Sequence, residues 1–334
     1  MAKKRNHIAK AILILVVALA IAGICRTFCV EFYRVAPAQM ENTLLAGDRI
    51  CVDKLCYGIR LPQTISLLPI TDTIPFTSLP AYYPTRPLPY KRIKTKTAQR
   101  GDIVIYNYPT EQNIPISKSP TAISRCIGIP GDTIVYETGQ LRVNGQNMAQ
   151  SPYVTDAYQV ADSILPALRN AMQKAVGKEP EIIRLMNTNL LYIDRYAYDK
   201  IKTLWPGYLA LHPITLPQDN YRIELPPYGK PASITPHNAA LYAHIINLYE
   251  KQKVILRGNK LYRGGREVKE YTFSQPYYWV VGDNRTTTID SRYFGALPHS
   301  HLIGRCRYII YSIAPDGASN NPWRSSRFML KTTP

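Results

Sequence analysis

From Ala11 to Cys25 the chain carries no charged side chain, and the residues ahead of this run include Lys3, Lys4, Arg5 and Lys10. Basic residues followed by an apolar run form the positive-inside pattern of a membrane anchor. A span needs about 20 residues. Ile8, Ala9 and the aliphatic stem of Lys10 lengthen the run at one end, and Phe28 to Phe32 partly lengthen it at the other. Residues 8–29 are therefore read as a transmembrane helix in the cytoplasmic (inner) membrane, with 1–10 as its cytoplasmic basic tail. The rest of the chain stands on the extracytoplasmic, periplasmic side. A cleaved secretory signal is the alternative, because Ala18-Leu19-Ala20 and Ala36-Pro37-Ala38 have the small-x-small form. The first would cut inside the apolar run, and the second lies past Arg26, Glu31 and Arg34. Both readings put the body outside the cytoplasm.

The body is long enough to bury a core: 334 residues, 46% of them apolar. Its 27 prolines and 25 tyrosines point to an irregular, strand-rich architecture rather than a helical bundle. The formal charge of +18 raises the question of nucleic acid. The basic residues are scattered, however, and no nucleic-acid motif appears, so the expected charged partner is the surface of the lipid bilayer. An exported body permits disulfides among the six cysteines, but their spacing assures none. No Cys or His set has metal-ligand spacing, so neither metal nor cofactor is expected.

Gly47-Asp48 is a turn signal ahead of a strand from Arg49 to Lys54. Residues 59–96 have no clean period; their apolar members include Leu67, Leu68, Ile70, Phe76, Tyr82 and Tyr83, and contact with the bilayer surface is expected for them. Strands are expected over Asp102 to Tyr108, Ala122 to Ile129 and Thr133 to Tyr136, with Leu141 to Asn144 as half of a hairpin. A helix is expected after Ser163, with Pro166 in its first turn and Gly177 beyond its end, and Thr235-Pro236 opens another. Strand character returns from Val254 to Thr272, from Tyr277 to Val281 and from Arg305 to Ile313.

Four segments, in order, resemble the bacterial signal peptidase I family. Ala38-Gln39-Met40-Glu41-Asn42-Thr43-Leu44 with Gly47-Asp48 is similar to its nucleophile segment, usually Ser-Met-x-Pro-Thr-Leu. Arg100-Gly101-Asp102-Ile103-Val104 matches its Arg-Gly-Asp-Ile-Val strand. Ser124-Arg125-Cys126-Ile127-Gly128-Ile129-Pro130-Gly131-Asp132 resembles the base segment, usually Lys-Arg-x-x-Gly-x-Pro-Gly-Asp. Gly282-Asp283-Asn284-Arg285 with Asp290-Ser291-Arg292 resembles its last box. The resemblance implies a mainly β fold: an antiparallel β ectodomain behind a transmembrane helix, with a Ser-Lys endopeptidase site that removes signal peptides. It implies a β core of 30–147 and 272–315, an inserted, partly helical second domain at 148–271, and a C-terminal tail at 316–334.

The chemistry of that family needs a hydroxyl nucleophile, a neutral amine to take its proton and donors for the oxyanion. Gln39 stands at the nucleophile position, and an amide has no oxygen suited to an acyl intermediate. Ser124 stands at the base position, and Pro37 occupies the place two before the nucleophile that often supplies a hydroxyl to the oxyanion hole. In serine proteases, loss of nucleophile or base costs roughly 10⁶ in turnover. No catalytic residue of the dyad is intact. Between Arg26 and Arg60 there is no serine, so a register shift restores nothing. Pro37, Met40, Ser124, Arg125, Cys126, Asp283, Arg285, Thr288, Asp290 and Arg292 are the candidates for the groove and its support. Ser124 and Cys126 share a strand face, and Cys126 is a replacement nucleophile only if a base lowers its pKa. The expected function is a membrane-anchored family member that binds signal peptides or partners without cutting. An active peptidase with relocated residues, and a scaffold or regulatory subunit serving an active paralogue, are the other readings.

Overall fold

The computed structural model describes every residue except 1, 37–38, 41–42, 64–87, 110–114, 138, 178, 186–187, 214–219, 286–287, 316–321 and 333–334. The apolar residues singled out between Leu67 and Tyr83 lie outside the described residues. Helix α1 (Ala2–Phe28) contains Lys10–Phe28, 19 residues long and apolar enough to cross a membrane. At a rise of about 1.5 Å per residue this stretch reaches roughly the ~30 Å of a hydrocarbon core. Ile12, Leu13, Ile14, Val16, Ile21 and Ile24 stand exposed around it, so the helix is apolar on all sides and packs against little of the protein.

Past Cys29 the chain turns straight into β1 (Val30–Arg34), followed by β2 (Asp48–Asp53), β3 (Ile103–Asn107) and β4 (Thr121–Gly128). A hairpin of β5 (Thr133–Glu137) and β6 (Gln140–Val143) comes next. The middle of the chain contributes β7 (Thr155–Val160), α2 (Leu165–Val176), β8 (Glu181–Leu185), β9 (Thr188–Asp194), α3 (Arg195–Leu204), β10 (Tyr221–Glu224) and α4 (Ala239–Tyr249). The last part holds β11 (Tyr277–Val281), α5 (Ser291–Phe294), β12 (Leu297–Pro298), β13 (Leu302–Ser312) and β14 (Leu330–Lys331).

The architecture is mainly β. Its largest sheet has the order β1-β2-β13-β3-β4-β11-β12, with β14 added beside β13, and every pairing in it is antiparallel. Successive side chains point to opposite faces. Ile103 and Ile105 join Val35, Met40, Ile50, Val52, Ile123 and Ile309 in one core, while Val104 and Tyr106 join Ala122, Cys126, Tyr278 and Val280 in another. Both faces are covered, so β3 and β11 are buried along their whole length and their sequences show no polar alternation.

The stretch 148–271 contains two kinds of structure. β7, β8 and β9 pair with one another and share an apolar cluster with α2 and α3 that includes Tyr158, Leu168, Leu191 and Ile201. β10 instead pairs with β5, and Tyr242, Ile245 and Ile246 of α4 pack with Ile134, Tyr277 and Trp279. The expected helix after Ser163 begins at Leu165, with Pro166 in its first turn and Gly177 closing it in the left-handed conformation at φ 65°. Ser163 does not cap it; the residue lies in the 3₁₀ turn Asp162–Ile164. The helix expected from Thr235 starts at Ala239, because the Thr235 amide donates to Asn238 Oδ1 at 2.8 Å and holds those residues in a turn. The 316–334 tail returns to the sheet: Leu330 pairs with Ile309, and Trp323 stacks on Tyr311 at 5.9 Å.

Candidate functional site

Three of the four motif segments contain a Gly-Asp turn built in the same way. Gly47, Gly101 and Gly131 have φ near +90°, a region that favours glycine, and the following Asp48, Asp102 and Asp132 each accept the amide three residues earlier, from Leu45, Gln99 and Ile129. Gly282-Asp283, a turn signal in the sequence like Gly47-Asp48 and Gly131-Asp132, is built differently: Gly282 is not in that region, and the Asp283 carboxylate is engaged by Arg125.

The first and last motifs meet on β4. Strand β11 pairs with β4 from Gly128 back to Arg125 and ends there. At the next position along that edge, the Ile123 amide donates to Gln39 Oε1 at 3.1 Å. Gln39 is half-buried and its backbone is fastened: the Thr288 hydroxyl donates to the Gln39 carbonyl at 3.0 Å, with the Asn284 carbonyl as a second acceptor. Next in sequence, Met40 is fully buried and its sulfur accepts the Asp283 amide at 3.4 Å. Thr43 donates to Asp283 Oδ2, which ties the same loop to the same carboxylate. Pro37 lies outside the described residues.

Below the loop is a buried set of ion pairs. Arg125 donates from Nε and Nη2 to Asp283 Oδ1 and Oδ2 at 2.9 and 2.7 Å, and from Nη1 to the Gly101 carbonyl at 3.1 Å. Asp290 caps α5 by accepting the Arg292 amide, receives the Gly282 amide at 3.0 Å, and is held by Arg292 Nε and Nη2, both at 2.9 Å. Arg285 points elsewhere. Its Nη2 donates to Gln150 Oε1 at 2.6 Å and its guanidinium lies 4.3 Å from the Tyr136 ring centre, so only its backbone carbonyl, which accepts from Arg292, joins the Asp290 group.

Ser124 is fully buried on the face opposite Ile123, where its one hydrogen-bond partner among the described residues is the Tyr106 hydroxyl at 3.1 Å. Burial raises the Tyr106 phenol well above its ordinary range, so it remains protonated and takes no proton from Ser124. Cys126 shares that face, in the apolar cluster with Val104 and Tyr278. Burial, then Asp102 and Asp132, pushes its thiol well above its usual value, the opposite of what a thiolate nucleophile needs. Lys118 sits in the 3₁₀ turn Ile116–Lys118 ahead of β4. Among the described residues no group of three or more His, Cys, Asp or Glu converges as a metal site would, and the six cysteines are free thiols.

Sequence reasoning missed Tyr106, Thr43 as a ligand of Asp283, and the Ile123 amide. The apolar run of β3 does not show which face Tyr106 takes; only the register Tyr106↔Ala122 and Val104↔Ser124 brings it to Ser124.

The fold and site define a mainly β protein with an N-terminal apolar helix, whose site forms where Gln39, Met40 and Thr43 and the residues Asp283 and Thr288 after β11 meet a central strand. The profile of the family described as signal peptidase, peptidase S26, matches residues 8–192 and 238–311. The chain belongs to that family. A signal peptidase I of Pseudomonas aeruginosa is 24% identical over 314 residues, 91% of this chain and 72% of that one. A signal peptidase I of Buchnera aphidicola is 24% identical over 297 residues, 87% of this chain and 73% of its own. Among solved structures, a signal peptidase I from Enterococcus faecalis aligns with 63% of this chain and 97% of its own at 17% identity and a TM-score of 0.24. The profile match omits residues 193–237, which hold α3 and β10.

Proposed function

We propose that this chain is a membrane-anchored member of the family that binds signal peptides without cleaving them. Its body stands on the extracytoplasmic side of the cytoplasmic membrane, and an active family member in the same cell does the cutting. One observation carries the reading. At the positions that correspond to the dyad there is an amide, Gln39, and a buried hydroxyl, Ser124, whose only hydrogen-bonded neighbour among the described residues is a protonated phenol. An amide cannot carry an acyl group, and a phenol that keeps its proton is no base for a serine hydroxyl. The parts that shape a peptide site remain: β11 leaves the outer edge of β4 at Arg125, and an extended peptide pairs with such an edge through its backbone, whatever its side chains.

The test is cleavage of a preprotein with a small-x-small signal site by the detergent-solubilised full chain, compared with the Gln39→Ser plus Ser124→Lys variant. A silent wild type beside a cleaving variant is expected. Wild-type cleavage defeats the proposal. Binding is read separately, as retention of the uncleaved preprotein by the wild type.

A further inference from the structure

The Gln39 side chain occupies a place that a peptide backbone would need. Along β4 the amides facing away from β3 are met by β11 as far as Arg125, and the next one in that row, Ile123, is met by Gln39 Oε1 at 3.1 Å. That carboxamide oxygen is chemically the same acceptor as a peptide carbonyl, and it sits where the carbonyl of an added strand would sit. We infer that Gln39 is a self-ligand: its amide caps the open edge of β4 in the unliganded protein, and a bound peptide must displace it. The inference rests on the peptide-binding reading above and adds to it a residue that sets peptide affinity.

The surroundings fit a side chain that moves while its backbone stays. The Gln39 carbonyl is held by Thr288, Met40 is buried with its sulfur on the Asp283 amide, and Thr43 is tied to Asp283, so the backbone is fastened at residue 39 and just after it. Gln39 is partly exposed, and among the described residues the one hydrogen bond to its side chain is that from the Ile123 amide. An extended chain entering along the edge exchanges one carbonyl-type acceptor for another and gains the remaining backbone bonds of the strand. Giving up Gln39's bond is the cost, and a net hydrogen bond of this kind weakens binding about threefold to tenfold. A carboxylate at the same place accepts the amide more strongly and is harder to displace.

The test uses the full chain in detergent, a fluorescent synthetic peptide spanning an Ala-x-Ala site, and hydrogen exchange at the Ile123 amide. The affinity order Gln39→Ala, wild type, Gln39→Glu is expected, with the alanine variant about threefold to tenfold tighter than wild type. The Ile123 amide should exchange faster in free Gln39→Ala than in free wild type, and peptide should restore its protection. Equal affinities for wild type and Gln39→Ala, or unchanged Ile123 exchange in the free variant, overturn the self-ligand and leave peptide binding standing. Absence of binding by all three overturns both.

Discussion

Arg125 and Asp283 face each other through a two-pronged contact, Nε to Oδ1 and Nη2 to Oδ2, with both side chains almost wholly buried. The pair joins β4 to the turn after β11, and the Asp283 residue also holds Met40 and Thr43, so the site loop hangs from this contact. A buried ion that loses its partner costs about 3–5 kcal/mol. Asp283→Leu or Arg125→Met alone should lower unfolding free energy by about that much. The Asp283→Leu plus Arg125→Met variant, which leaves no unpaired charge, should recover a large share of the loss. A thermal or denaturant series on the three variants checks this, and additive losses would show that the two residues do not act as a pair.

His299 and His301 make stability depend on acid. Burial, and then the Arg92 guanidinium, holds His299 down at about 3, while burial and Arg60 hold His301 at about 3, against an ordinary value of 6.5. Between these values the unfolded chain binds protons that the folded chain refuses. The contribution is therefore complete above pH 6.5 and declines as pH falls toward 3. Melting temperature measured from pH 7 to pH 4 should fall less steeply in His299→Gln plus His301→Gln than in wild type. Parallel curves would assign the acid limb to other groups.

Two glycines should respond differently to alanine. Gly47 has φ +91°, and a Cβ there would strike the Ile313 carbonyl; Gly145 has φ +80° with open space around it. Gly145→Ala should cost about 1 kcal/mol, the strain of a left-handed conformation alone. Gly47→Ala should cost clearly more, because the backbones of 47 and 313 must also separate. Equal melting temperatures for the two variants would contradict the close approach.

Cys126 should behave as a core thiol. With burial raising its pKa well above the ordinary value, a maleimide should leave it unmodified in the folded protein and label it only on unfolding, whereas Cys25, which is exposed, labels unless lipid or detergent covers it. Mass mapping of the labelled peptides reads this out. Fast labelling of Cys126 would reopen the possibility of a relocated nucleophile.

Much of the fold is legible along the chain because its signals are local. Gly47-Asp48 and Gly131-Asp132 fold as glycine-dependent turns with the aspartate satisfying a nearby amide, and Leu165–Val176 runs between a proline in its first turn and a glycine at its end. Where signals are not local the reading fails. The sequence does not mark the sheet of β7, β8 and β9, whose strands gain their identity from pairing β7 to β9 and β8 to β9. Helix α3 does carry a local signal: Asp194 accepts the Ala197 amide at 2.7 Å as an N-cap directly before a helical run.

The amino-acid sequence by itself determined the chemistry available at the site. An amide at 39 and a hydroxyl at 124 are matters of residue identity, and no folding turns them into a serine and a lysine. It also determined the apolar span and the local turns, whose partners lie within a few residues. Only the tertiary structure decided that Gln39 would rest on the Ile123 amide, 84 residues away, and that Arg125 would clasp Asp283, 158 residues away. Such contacts depend on the register of distant strands, which is set by how β3, β4, β11 and β13 share two buried faces. No local pattern encodes that register, because each strand only reveals which of its residues point inward and not what they will meet there.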